Sequence, residues 1–354
     1  MNGPAPLLPP RNEPTLHPLA KWRALIAIAV GLLYGLITRL SWGFEPFQDF
    51  LGTPVSASYL FLSPFVLGIL VAIVGMAISP SRKIPIWGVL MPFVAVLFGT
   101  IGAIIFELEA IFCVVVAFPI LLIMAILGGT LGAVLMRGLG ARRTYFYCPA
   151  FIFLPYAVGP LEQLLQLPHR QITITDSIEI QASPEVIWKE IASVPEIQDH
   201  EIRNSWIYLL GFPKPKAATL DYERVGGKRV ATFEREVSFF EVIDTWNPPE
   251  TLSFSIEADP EFIPANAFDE HIIVGGRFYD VLHGSYSIER LSSDSCRLHL
   301  TSTHRLGSNF NSYAGWWSNV IMSEIQSTIL EVISKRAESQ QSISSPESPS
   351  PHSH

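Results

Sequence analysis

Two stretches of the 354-residue chain place acids or imidazoles on an apolar strand face. In Gln171–Gln181, Asp176 falls on the same alternating face as Ile172, Ile174 and Ile178. A carboxyl group held among apolar side chains has its proton affinity shifted and can serve as an acid or base. The competing expectation is a position at a strand bulge or a cavity mouth. Further on, His304 shares a face with Leu298 and Leu300, whereas His299 points the other way. An imidazole there can meet the polar head of a ligand or make a structural hydrogen bond. Tyr279, Asp280, His283 and Tyr286 lie on a predicted central hairpin and can supply further polar contacts.

Other candidates carry less. Asp269-Glu270-His271 gathers three metal-ligating types, but adjacent strand residues diverge, so no metal site is expected. Asn309, Asn311 and Tyr313 read as a loop and cap before the last helix, and Trp316 and Trp317 as core or pocket wall. His352 and His354 sit in a Ser/Pro-rich tail and are not expected to bind metal. The sequence holds no Ser-His-Asp order, no glycine-rich phosphate loop and no H-E-x-x-H. Catalysis thus has no motif behind it, and no cofactor is expected. Cys113, Cys148 and Cys296 form no C-x-x-C pair, so neither a disulfide framework nor a zinc site is implied.

The elements that must position these groups are legible in the alternation. Gln171–Gln181 is a strand by its period of two. Ser183 is a helix N-cap, Pro184 the first helical residue and Glu185 a favourable charge at that end; the helix buries Ile187, Trp188 and Ile191. A second short helix is expected from Pro195. Strands follow near Arg229–Glu236, Ser238–Trp246, Thr251–Ala258, Arg277–Leu291 and Cys296–Arg305, with a turn at Asn247–Glu250 and a bend at Gly275-Gly276. A long amphipathic helix, about Tyr313–Arg336, carries Trp317, Ile321, Ile325, Thr328 and Val332 at helical spacing. A curved antiparallel sheet around a terminal helix follows from this order.

The first half is of another kind. Hydrophobic residues make up 49% of the chain and charged ones only 16%. Ala24–Trp42, Tyr59–Ser79, Ile84–Phe106 and Ala110–Met136 are each long and apolar enough for a bilayer, which takes roughly 20 residues. Pro64, Pro92 and Pro119 predict kinks in spans two to four, and Gly128, Gly129 and Gly132 a face for close helix packing. Tyr145–Leu161, shorter and broken by Pro149, Pro155 and Pro160, is expected to be a fifth span. Met1–Ala20 lacks a small-residue cleavage site, so the first run is read as an uncleaved span. Residues 1–20 and 339–354 are expected to be disordered, flanking a membrane region at 21–168 and a soluble domain at 171–338.

Charge sets orientation and excludes partners. Arg11, Lys21 and Arg23, then Arg82 and Lys83, then Arg137, Arg142 and Arg143 occupy alternate loops, which puts the N-terminus in the cytoplasm. Five spans then place the C-terminal domain in the periplasm; four leave it inside. The spans hold no deep charge, which argues for anchoring over transport. Residues 171–354 carry fourteen Lys/Arg against twenty-six Asp/Glu, so nucleic acid and anionic headgroups are disfavoured partners.

The run Ile178-Glu179-Ile180-Gln181-Ala182-Ser183-Pro184-Glu185-Val186-Ile187-Trp188 resembles the opening of the SRPBCC superfamily, which includes START lipid-transfer and polyketide cyclase/dehydrase-like domains. The resemblance covers about Gln171–Glu338 and extends to membrane-anchored bacterial members. It implies an α-helical membrane bundle followed by an α+β helix-grip domain with a hydrophobic pocket between sheet and terminal helix. The polar pocket candidates are then Asp176, Tyr279, His283, Tyr286 and His304. Trp188, Phe254, Trp317 and Ile321 are the candidate walls. A membrane lipid or other apolar small molecule is the expected partner. A cyclase/dehydratase-type enzyme using a pocket acid or histidine is the alternative, and a protein-interaction module is the second, with its partner undetermined.

Overall fold

A computed structural model describes residues 22–79, 83–257 and 274–344. The Asp269-Glu270-His271 cluster and the expected disordered N-terminus lie outside them. Two compact units emerge: residues up to Phe106 with Ala117–Leu164, and Glu107–Val116 with Leu165 onward.

The first unit is helical. Its long helices are α1 (Arg23–Gly43), α3 (Ser58–Ile78), α4 (Pro85–Ile105), α5 (Ile111–Gly138) and α6 (Ala141–Gln163), with a short α2 (Glu45–Leu51) after the first. Among the described residues, α1, α3, α4 and α5 are long and apolar enough to cross a membrane. α3 and α4 each open with a π-helical turn, Ser58–Leu62 and Pro85–Leu90, ahead of Pro64 and Pro92. The wider turn accommodates a ring that would collide with the carbonyl four residues back. The glycine face of α5 is used as its spacing predicts. A Cβ on Gly128 would fall on the Phe65 carbonyl, and one on Gly129 would come within 2.6 Å of the Gly88 carbonyl.

α6 has 23 residues, a rise of about 34 Å. Three prolines and several tyrosines make it less apolar than the other four. Near its start the Thr144 hydroxyl donates to the Leu135 carbonyl late in α5. Near its end the Glu162 carboxylate accepts the backbone N–H groups of Ala57 and Ser58 at 2.7 and 2.8 Å, at the head of α3. Glu162 therefore neutralises orphan donors at a helix N-terminus.

The second unit is an antiparallel sheet of seven strands in the order β1-β7-β6-β5-β4-β3-β2: β1 (His169–Ile180), β2 (Pro215–Leu220), β3 (Lys228–Phe233), β4 (Ser238–Asn247), β5 (Thr251–Glu257), β6 (Tyr279–Arg290) and β7 (Cys296–Gly307). The sheet curls, and α9 (Asn311–Ser344) packs over β1 and β7 on its concave face. α7 (Pro184–Ala192) packs on α9, and a single short turn, α8, spans Trp206–Leu209. This is the helix-grip arrangement.

Three expectations need correction. No helix starts at Pro195: the Arg336 guanidinium on α9 binds the Pro195 and Glu196 carbonyls, and Ile197 donates to Lys216, so these backbone groups are drawn out of helical register. The last helix does not stop near Arg336. Ser339 and Gln340 continue it to Ser344, anchored by Gln340 on Glu190 and by the Ser183 N–H on the Gln341 side chain. Ser183 does occupy the N-cap, but its hydroxyl caps nothing.

Candidate functional site

The concave face is apolar at one end and polar at the other. At the end near Ile180 and Cys296, α7 and the C-terminal part of α9 close a core of Ile187, Leu252, Leu298, Leu330 and Ile333. Trp188 belongs here, edge-on to Trp246 at 5.1 Å between ring centroids.

Toward the other end, polar side chains point inward in separate rungs. In β1 and β7 the register pairs Ile172 with His304, Ile174 with Ser302 and Asp176 with Leu300, so all six share the concave face. Asp176 accepts from the Ser323 hydroxyl at 3.0 Å and from the Gln326 amide nitrogen at 2.7 Å. We assign the Gln326 amide in that sense because its oxygen then accepts from Ser302 Oγ at 2.8 Å. Asp176 is thus tied to α9 by donors on two successive turns.

His304 forms a different rung. It is fully buried, its Nε2 lies 2.6 Å from Ser318 Oγ, and the Tyr279 ring lies against it at 5.5 Å. Burial raises the Tyr279 phenol well above the ordinary range. Burial lowers the His304 imidazole to about 4, so it is neutral at pH 7. Its Nδ1 has no partner among the described residues, and the same holds for the buried Trp317 Nε1.

Tyr279 and Tyr286 are seven residues apart, which by alternation alone puts them on opposite faces. A β-bulge between Val281 and His283 inserts one residue and brings both to the concave side. His283 falls on the other face. It is half-exposed, 3.7 Å from Asp244, and its place as a pocket candidate is corrected accordingly. Asp280 also turns outward, toward Arg305 at 3.6 Å, and its carboxyl is raised by burial against the pull of that arginine.

One pair was not singled out from the sequence. Arg229 and Glu241 are cross-strand partners on β3 and β4, both buried, with Nη1 2.6 Å from Oε2. The guanidinium lies 5.2 Å from the centroid of Phe254 and 6.0 Å from that of Tyr286. Burial pushes the Glu241 carboxyl up, and Arg229 pulls it back. Phe254 in turn occupies the space above Gly284, where a Cβ would come within 2.5 Å of the ring. The available signal was parity: Arg229 matches the inward Ala231, and Glu241 the inward Ile243. Ile321 is buried on α9 one turn beyond Ser318.

No cluster of three or more His, Cys, Asp or Glu suited to a metal occurs among the described residues. The arrangement is that of a hydrogen-bonding interior, in which the Asp176 and His304 rungs are separate and share no common partner.

No protein-family model and no curated protein matches the chain. Among solved structures, truncated norcoclaurine synthase from Thalictrum flavum is 14% identical over 48% of this chain and 96% of its own, with a TM-score of 0.32. A Nitrosomonas europaea protein is 10% identical over 48% and 97%, with a TM-score of 0.31. A conserved Geobacillus kaustophilus protein is 14% identical over 46% and 96%, with a TM-score of 0.27. Likeness at this level carries no argument about activity.

Proposed function

We propose that the C-terminal unit binds a lipid or other largely apolar small molecule between the concave face of its sheet and α9, while the helical unit anchors it in the cytoplasmic membrane. The observation that carries this reading is a set of buried polar atoms without a partner among the described residues of this unit, His304 Nδ1, Trp317 Nε1 and Arg229 Nε among them. Buried polar groups in folded proteins are nearly always satisfied, and each exception calls for a missing partner. Five residues, Leu164–Pro168, join α6 to β1, a reach of about 18 Å at most, which suits a sheet domain on a short tether to its proposed anchor.

The anchoring reading has five spans, with the N-terminus in the cytoplasm and the sheet domain in the periplasm. Its support is the length of α6 and its hydrogen bonds to late α5 at one end and to the head of α3 at the other.

A proton-transfer enzyme of cyclase or dehydratase type is the second reading, because Asp176 and His304 both face the interior. It is the weaker one. Asp176 already accepts from two α9 side chains, and an imidazole titrating at about 4 is a poor base at neutral pH.

The test is native mass spectrometry of the full chain released from nanodiscs, with organic extraction of what co-purifies. One apolar molecule per chain, reduced when Ile321→Trp fills the interior, is the expected result. A chain that carries nothing and gains no mass from a lipid extract overturns the reading.

A further inference from the structure

We propose that His304 selects ligands by donating a hydrogen bond from Nδ1 to an uncharged carbonyl oxygen, so that the molecule held is an ester or ketone with an apolar body. This rests on the ligand-binding reading above and adds the chemistry of the recognised group.

The hydrogens available on this rung fix the tautomer. Ser318 has one hydroxyl hydrogen, and its oxygen lies 2.6 Å from His304 Nε2. If Ser318 donates to Nε2, the contact uses the hydroxyl hydrogen and the imidazole lone pair together. His304 then carries its proton on Nδ1, leaving a single unsatisfied donor. The reverse, Nε2–H donating to Ser318, leaves both the serine hydroxyl hydrogen and an imidazole acceptor unmatched, which is the costlier arrangement. The first order therefore sets the tautomer, and Nδ1–H points at an acceptor that the described residues do not supply.

The other buried side-chain nitrogens left over on this unit, Trp317 Nε1, Arg203 Nε and Arg229 Nε, are also donors. An incoming head must therefore bring acceptor oxygen. Formal charge is disfavoured: His304 is fully buried and neutral, and the charge of Arg229 is already matched by Glu241 at 2.6 Å. A carboxylate brought here would be desolvated without a free cation. An ester or ketone oxygen meets both demands.

The experiment uses the full chain in nanodiscs of ether-linked lipids, which have no acyl carbonyl. Methyl palmitate, palmitate and hexadecyl methyl ether are titrated, and bound fractions are read by native mass spectrometry. Nitrogen NMR of ¹⁵N-histidine reports the tautomer. Methyl palmitate is expected to bind at least tenfold tighter than either other probe and to shift the Nδ1–H resonance. His304→Asn, which keeps an amide donor near Nδ1, should retain most of that preference, and His304→Leu should abolish it. Equal binding of ester and ether by the unaltered chain overturns the proposal even if the leucine variant fails to fold, and so does tighter binding of palmitate. Binding of none of the three sinks the ligand-binding reading itself and this inference with it.

Discussion

Arg229 and Glu241 face each other across β3 and β4 inside the sheet, with guanidinium and carboxylate 2.6 Å apart and neither open to water. A buried pair of this kind gains little over an apolar pair of the same shape, but losing one member strands a charge. Glu241→Ala should therefore destabilise the domain by about 3–5 kcal/mol, whereas the double change Arg229→Met with Glu241→Leu should cost far less. Thermal unfolding of the full chain in detergent, followed by near-UV circular dichroism, measures both. A double variant as damaged as the single one would show that the pair has another role.

Acid should unfold the domain in two separable windows. The folded His304 imidazole sits at about 4 against an ordinary 6.5, so the unfolded chain binds the proton first. Its contribution is fully present above pH 6.5 and is lost as pH falls toward 4. Glu201 is held at about 2 by its hydrogen bonds from Arg336, against an ordinary 4.5. That contribution is present above about 4.5 and is lost as pH falls toward 2. His304→Phe should flatten the upper window alone and Glu201→Gln the lower one. Melting temperatures across pH 7 to 2.5 decide; one variant flattening both windows contradicts the assignment.

The crossing of α3 and α5 depends on missing side chains. Gly128→Ala places a methyl group on the Phe65 carbonyl, and the helices must separate to admit it. A loss of about 1–3 kcal/mol or more is expected. Gly102→Ala, which meets open space, should be neutral or slightly stabilising. Heat-challenge size-exclusion chromatography in detergent ranks the two, and equal losses would mean that the crossing is slack.

Much of this was legible in sequence because apolar period is the dominant signal. β5 reads cleanly from Leu252, Phe254 and Ile256 against Thr251, Ser253 and Ser255, and Gly128, Gly129 and Gly132 mark a helix contact by their spacing. The misses share one cause. β2 was not read because Pro215 and Lys216 interrupt its alternation and its pairing with β3 is irregular there. Arg229 and Glu241 look like solvated charges until the β3–β4 register sets them side by side. Tyr279 reaches the concave face only through the bulge before His283, and a one-residue insertion leaves no trace in composition. Glu162 looks like the polar end of a span, yet it caps a helix more than a hundred positions earlier in the chain. Local pattern gives elements; pairing across strands and helices gives the site.

Sidedness determines which molecules the interior can ever meet. If the positive residues in alternate loops hold the N-terminus in the cytoplasm, as proposed, the location of the sheet domain turns on α6. On that proposal Arg142 and Arg143 favour a cytoplasmic start for α6, and no charge interrupts it before Glu162. Glu162 is not an obstacle to crossing, because its charge is taken up by the Ala57 and Ser58 N–H groups. Three prolines and lower apolarity weigh the other way. A reporter fused after Arg143 is expected to read cytoplasmic and one after Arg170 periplasmic. Glu162→Ala should weaken the assembly without moving the second reporter, because the positive loops still set orientation. If both fusions read cytoplasmic, α6 lies along the interface and the domain meets cytoplasmic ligands instead.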